Sequence, residues 1–234
     1  MSAPFSFKKG DFRKMKGNGR KTGKPICFIV GASPCSGFEG GYFAPEEGDY
    51  VIAADGGLKH LEAAGVKPDM IVGDFDTLGY EPEHENLVCL QREKDWTDTF
   101  VAMEKGMELG YETFVFYGCL GGKLEHTIAN LQHLVWLSQR ELSGWMTDGR
   151  CWLTAVSGDG AKSGHLTLPA RKQGMVSAFC MGDKAEGVTL SGLKYGLADG
   201  ELTGSFPLGV SNEFAGEKAE ISVRKGTLLV VTEK

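Results

Sequence analysis

The sequence predicts an α/β protein: an N-terminal, Rossmann-like domain built on a parallel sheet, then a small C-terminal antiparallel β domain of sandwich-like type. Three observations predict it. Short apolar runs with strand character alternate with segments of helical spacing through the first two-thirds of the chain. Near residues 150–165 helical spacing stops, and short runs broken by Gly, Asp and Pro follow. Charge marks a third region, because residues 1–24 hold eight basic residues and one acid while 25–234 carries a net charge of −13. The expected layout is a disordered basic tail over 1–24, an α/β domain over 25–157 and a β domain over 163–234.

The strand runs of the α/β part are 26–31, 50–54, 70–73, 87–90 and 113–118. Continuous apolar runs of this length suit a parallel sheet covered on both faces. Helical spacing is found over 58–64, over 97–109, where Phe100, Met103 and Met107 share a side, and over 125–140, where Ile128, Leu131 and Val135 do. The glycine-rich stretch 157–164 reads as a hinge or loop. The β part offers runs at 165–168, 175–180, 187–190, 201–206, 219–224 and 227–232, and the chain shows no repeat at solenoid or propeller spacing.

Composition excludes several classes. With 234 residues, 41% hydrophobic and 24% charged, the chain is an ordinary globular one, neither collagen-like nor coiled-coil. No apolar run nears the roughly 18 residues of a membrane span, and the first 30 residues show no apolar signal core. Cys27, Cys35, Cys89, Cys119, Cys151 and Cys180 are widely spread without a C-x-x-C pair, so free thiols in a reducing, cytoplasmic setting are expected. The tail reads as a solvated leader, with nucleic acid an unlikely partner beyond weak contacts there.

In parallel sheets, ligands bind beyond the carboxyl ends of the strands, and four such ends here carry polar sequence. Asp55-Gly56-Gly57 follows the second run: a carboxylate beside a backbone that a ligand can approach, or an Asx turn capping the next helix. Asp74 and Asp76 follow the third, on one side if the chain stays extended. Two like charges so close call for a cation, and Mg2+, a hard ion that takes carboxylates and phosphates, is the natural one. Asp95, Thr97 and Asp98 stand before a helix, where they serve as cap and first turn or complete the acidic cluster. After the fifth run, Gly121-Gly122-Lys123 leads into a helix carrying Glu125 and His126; such a loop presents backbone N–H groups and a cation to phosphate. It is not a Walker A loop, and neither it nor the glycines at 31–37 has dinucleotide-binding spacing. Acids facing a cationic glycine loop suit Mg2+-assisted phosphoryl or pyrophosphoryl transfer.

The segments at 53–57, 73–77, 94–98, 118–126 and 209–213, in this order, resemble the thiamine pyrophosphokinase family over about residues 25–234. The resemblance implies pyrophosphoryl transfer from ATP to the thiamine hydroxyl, giving thiamine diphosphate and AMP. It also implies a homodimer with thiamine near the subunit interface. By motif, Asp74, Asp76 and Asp98 would hold Mg2+ on the nucleotide with Asp55 beside them, and Lys123 and Glu125 would join the catalytic set. Gly56, Gly57, Asp95, Thr97, Gly121, Gly122, Lys123 and His126 would meet ATP, while Ser211 and Asn212 would meet the pyrimidine end of thiamine. Asp55 and Asp95 both remain open as acceptors of the hydroxyl proton. Four positions depart from the family: Lys123 for Arg, Glu125 for Asp, Thr77 for Ser and Gly196 for Pro. The first two motivate one rival, a thiamine or nucleotide sensor on the same fold. Asp74-Phe75-Asp76-Thr77 motivates another, because it also looks like the D-x-D-x-T signature of haloacid-dehalogenase-type phosphatases, with Asp74 as covalent nucleophile.

Overall fold

The apolar runs of the first part become six strands: β1 (Cys27–Val30), β2 (Tyr50–Ala54), β3 (Met70–Gly73), β4 (Leu87–Cys89), β5 (Thr113–Tyr117) and β6 (Ser143–Thr147). The computed structural model describes residues 24–41, 43–91, 93 and 95–233, so the basic tail, apart from Lys24, lies outside the described residues. The strands stand in the order β6-β5-β1-β2-β3-β4, and the β5–β1, β1–β2, β2–β3 and β3–β4 pairs are parallel. Every residue of β1 and β5 is buried, which is why these segments read as unbroken apolar runs rather than as alternating ones. Among the described residues there are three helices, α1 (Gly57–Ala63), α2 (Asp98–Glu108) and α3 (Leu124–Ser138). Thr97 caps α2: its side chain accepts from the N–H of Phe100, and Asp98 occupies the first turn.

The chain divides into two units, one of Gly23–His133 and Gly144–Gly149, the other of Leu134–Ser143 and Arg150–Lys234. In the second, β7 (Cys151–Leu168), β8 (Met175–Cys180), β9 (Lys184–Ser191), β10 (Leu197–Thr203) and β11 (Asn212–Glu213) precede β12 (Ala219–Glu233). β12 is the spine of this unit. It pairs antiparallel with β7 along most of its length, with β9 through its first half and with β8 through its second.

Four expectations change. The two runs at 219–224 and 227–232 are one strand, with a register shift between Val223 and Lys225. The expected hinge at 157–164 lies inside β7. Its pairing with β12 passes from Gly164 opposite Val223 to Asp159 opposite Lys225, so residues 160–163 bulge out. The Asp159 carboxylate closes that bulge by accepting from the N–H groups of Ala161 (2.9 Å) and Lys162 (2.7 Å). β6 had no counterpart in the sequence reading, since a Ser-Gly-Trp-Met-Thr segment lacks a strand's apolar run although it is buried throughout. On α3, Leu124 and Ile128 are 71% and 52% exposed, while Asn130, His133, Leu134 and Leu137 are buried. Ile128, Leu131 and Val135 therefore do not form the packed face; a buried hydrogen bond from the Asn130 side chain to the Cys119 carbonyl (2.8 Å) goes with the opposite orientation.

Candidate active site

The carboxyl ends of β1, β2, β3 and β5 open on a cleft of about 500 Å3. Two glycine contacts bring its walls together. A Cβ on Gly57, the first residue of α1, would stand 1.8 Å from the Val30 carbonyl oxygen, so only glycine lets α1 start against the end of β1. Gly118, the residue after β5, has φ +63, and a Cβ there would stand 2.3 Å from the Gly31 oxygen.

Asp55, Asp74 and Asp76 each place a carboxylate oxygen within 4.8 Å of the others. Asp55 is 7% exposed, holds a left-handed backbone at φ +46, and its Oδ1 is buried with no hydrogen-bond partner. The helix after it has Gly56 as N-cap and no side-chain cap bond, so the Asx-cap reading of Asp55 does not hold. A strained backbone and an unsatisfied buried oxygen are costly features that concentrate where a ligand completes the site. The chain does not stay extended between Asp74 and Asp76. Phe75 turns it at φ +59 and is itself buried, and the two carboxylates converge through that turn rather than through strand alternation. The turn is closed by the Asp76 N–H donating to Asp74 Oδ1 (3.3 Å) and the Thr77 hydroxyl donating to Asp76 Oδ1 (3.1 Å).

Asp95, Thr97 and Asp98 line the same cleft from the start of α2. Asp98 lies outside the close carboxylate group, which among the described residues consists of Asp55, Asp74 and Asp76. Lys94 is outside the described residues. Gly122, Lys123 and His126 line the cleft as well. Gly56, Gly57 and Gly121 shape the walls without lining the cleft, and Glu125 is exposed away from it. The loop is fastened from α3, where the Thr127 hydroxyl accepts from the Gly121 N–H at 3.1 Å. The Ser33 hydroxyl, from the segment after β1, donates to the Gly121 carbonyl at 3.0 Å. Burial pushes the Cys119 thiol up to about 12, so it stays protonated and adds no charge here.

Sequence reasoning missed Ser33, Pro34, Trp96 and Asn130, all on the cleft. The strand-end rule could have found Ser33 and Pro34, which follow β1. Nothing in the sequence marks Asn130, which enters from within a helix.

Ser211 and Asn212 belong to the second unit. Ser211 is exposed at φ +59, with its N–H on the Ser177 hydroxyl at 3.0 Å. Asn212 is buried; its oxygen accepts from the N–H groups of Tyr195 and Glu213, both at 2.9 Å, and its nitrogen donates to the Tyr195 carbonyl at 2.7 Å. The amide thus spends two of its hydrogen bonds on the backbone of Tyr195, which is 59% exposed, and a third on its own neighbour Glu213.

Comparison with known proteins bears on most of the chain. Residues 45–146 match the family model of the thiamin pyrophosphokinase catalytic domain, and residues 165–228 match that of the thiamin pyrophosphokinase vitamin B1 binding domain. The thiamine pyrophosphokinase of Bacillus subtilis is 25% identical over 195 residues, covering 77% of this chain and 85% of that protein. The crystal structure of thiamine pyrophosphokinase from Bacillus subtilis shares the fold with a TM-score of 0.77 at 22% identity, over 89% of this chain and 99% of that one. So does thiamin pyrophosphokinase from Candida albicans, with a TM-score of 0.73 at 13% identity, over 90% of this chain and 89% of that one. Two models of one family, matched in order over most of the sequence, together with the strand-end carboxylates and the glycine loop, show that this chain belongs to the thiamine pyrophosphokinase family.

Proposed function

We propose that this protein transfers the pyrophosphoryl group of ATP to the hydroxyl of thiamine, releasing AMP. The observation that carries the reading is Asp55: a buried carboxylate with an unpartnered oxygen, held beside Asp74 and Asp76 and facing a cationic glycine loop. The donor set fits Mg2+, which takes hard oxygen ligands. Asp55, Asp74 and Asp76 would hold the ion, with Asp98 on the same cleft, and when bound it neutralises charge on the phosphates. Lys123, with the backbone N–H groups of Gly122 and Lys123, binds and orients the phosphate chain. The thiamine oxygen forms a bond to the β-phosphorus, the bond from that phosphorus to the AMP oxygen breaks, and AMP leaves with the electron pair. The hydroxyl proton passes to a carboxylate of the cleft, Asp55 or Asp95. Lys123 offers phosphate a point charge rather than the two-pronged grip of Arg.

The second unit, whose family match is to a vitamin B1 binding domain, would receive thiamine through the segment bearing Ser211 and Asn212. The exposed apolar side chains Leu124 and Ile128 on α3, and Tyr195, Phe206 and Leu208 in the β unit, support a homodimer. The six cysteines are all free thiols, which suits a cytoplasmic setting. Among the described residues, no helix is long and apolar enough to cross a membrane.

The test is a product assay with ATP, Mg2+ and thiamine. AMP and thiamine diphosphate are expected together, and only when all three are present. Phosphate released without thiamine would support the phosphatase reading, and ligand binding without AMP would support the sensor.

A further inference from the structure

We propose that Trp96 is the platform on which the purine ring of the nucleotide stacks, an inference that rests on the nucleotide-dependent reaction proposed above. Trp96 lies on the cleft between Asp95 and the cap of α2. Its indole lies on the Phe100 ring with 4.8 Å between centroids and 18° between planes. One face is therefore covered, yet the residue remains 58% exposed, so the other face is open. An open π face on the cleft is a surface on which a planar base can stack.

The platform is braced from behind. Phe100 is buried in the first turn of α2, where its N–H is fixed by the Thr97 side chain, and its ring meets His133 at 5.5 Å. Burial pulls His133 down to about 4, so this backing ring is uncharged near neutrality. Trp96, Phe100 and His133 thus form a ladder of neutral rings from the cleft into the core, a pre-set geometry that asks little ordering of the platform when a flat ligand lands on it.

The nucleotide is the better claimant of the two planar substrates. Trp96 falls within the stretch matching the family's catalytic domain, whereas the vitamin match covers residues 165–228 of the other unit. Stacking also recognises any base by its π face, without further hydrogen bonds. Four tryptophans are present, Trp145 and Trp152 buried and Trp136 half-buried, so the W96F variant identifies the indole from which a quench comes.

The experiment joins binding and kinetics on the full chain. AMP without metal should quench the wild-type emission, and W96F should lose that quench. W96A should raise the KM for ATP about tenfold, the scale of one stacked base, with kcat and the KM for thiamine within twofold of wild type. W96F, which keeps a flat ring, should return the KM for ATP to near the wild-type value. Inorganic tripolyphosphate, as a competitor of ATP, should inhibit W96A and wild type equally, since it has no base. An unchanged KM for ATP in W96A, a rise for thiamine instead, or an equal loss of tripolyphosphate inhibition would each overturn the assignment. Should wild type form no AMP with thiamine, the proposed reaction fails on its own, and the AMP quench still reports on the platform.

Discussion

Asp55 and Asn212 are both buried polar side chains next to strands, and they are in opposite states. Asp55 keeps an oxygen without a partner and a left-handed backbone at the end of β2. Asn212 uses both ends of its amide to tie down Tyr195 and Glu213. Arg171, also buried in the β unit, behaves like Asn212: its guanidinium donates to the Glu233 carbonyl at 2.5 Å and lies over the Phe214 ring at 4.8 Å. Asp55 leaves polar capacity open for a ligand, while Asn212 and Arg171 consume theirs to hold the backbone around them. An unsatisfied buried group is the stronger sign of a reacting centre, because each such group costs stability that something else must offset.

The contrast can be broken most severely at Asp74. Asp74→Ala should lower kcat by about a thousandfold, the several kcal/mol that charge stabilisation on a phosphoryl group supplies, with the circular dichroism spectrum unchanged. Substantial turnover in that variant would sink the carboxylate assignment. Asp55→Asn is sharper, because Asn accepts a left-handed backbone and removes the buried charge. Turnover should fall about a hundredfold, on the scale of losing one preorganised charge-stabilising group. In EDTA, calorimetry should show a Tm at or above that of wild type. Added Mg2+, which should raise the wild-type Tm by binding the folded state, should barely move that of the variant. On the other side, Asn212→Ala should cost about 2 kcal/mol through the orphaned Tyr195 groups, a Tm fall of several degrees. Its kcat at saturating thiamine should stay within about twofold, as expected for a group that holds a turn outside the reacting centre.

His133 gives the mildest test. Its buried Nδ1 also has no partner, but it lies off the cleft, and burial pulls its pKa from 6.5 to about 4. The unfolded chain therefore binds a proton that the folded one refuses. This contribution is fully present above pH 6.5 and is lost as pH falls toward 4. Denaturation midpoints should decline across that window in wild type, and less so in His133→Leu.

The sequence shows where the strands end, since apolar runs stop abruptly at Asp55, Asp74 and Gly118, and the strand-end rule turns those stops into one edge. It shows much less of how the carboxylates meet. Their convergence depends on left-handed backbones at Asp55, a residue type that tolerates it, and at Phe75, a bulky type that does not announce it. The α3 face departs from its periodicity for a related reason: Ile128 and Leu131 have the spacing of a core, but Asn130 is the residue held inward by the Cys119 carbonyl. The glycines of 157–164 look like a joint, yet strand pairing continues on both sides of the small bulge that Asp159 closes.

β12 has a consequence for synthesis on the ribosome. Each of β7, β8 and β9 pairs with it, and it is the last of them in chain order. Those strands leave the exit tunnel with their edges bare and must wait for the spine before the unit can close, a delay in which unpaired edges invite association between neighbouring nascent chains. The β unit therefore closes only once β12 has emerged, whereas β2, β3, β4 and β5 each emerge after the strand on which they pair.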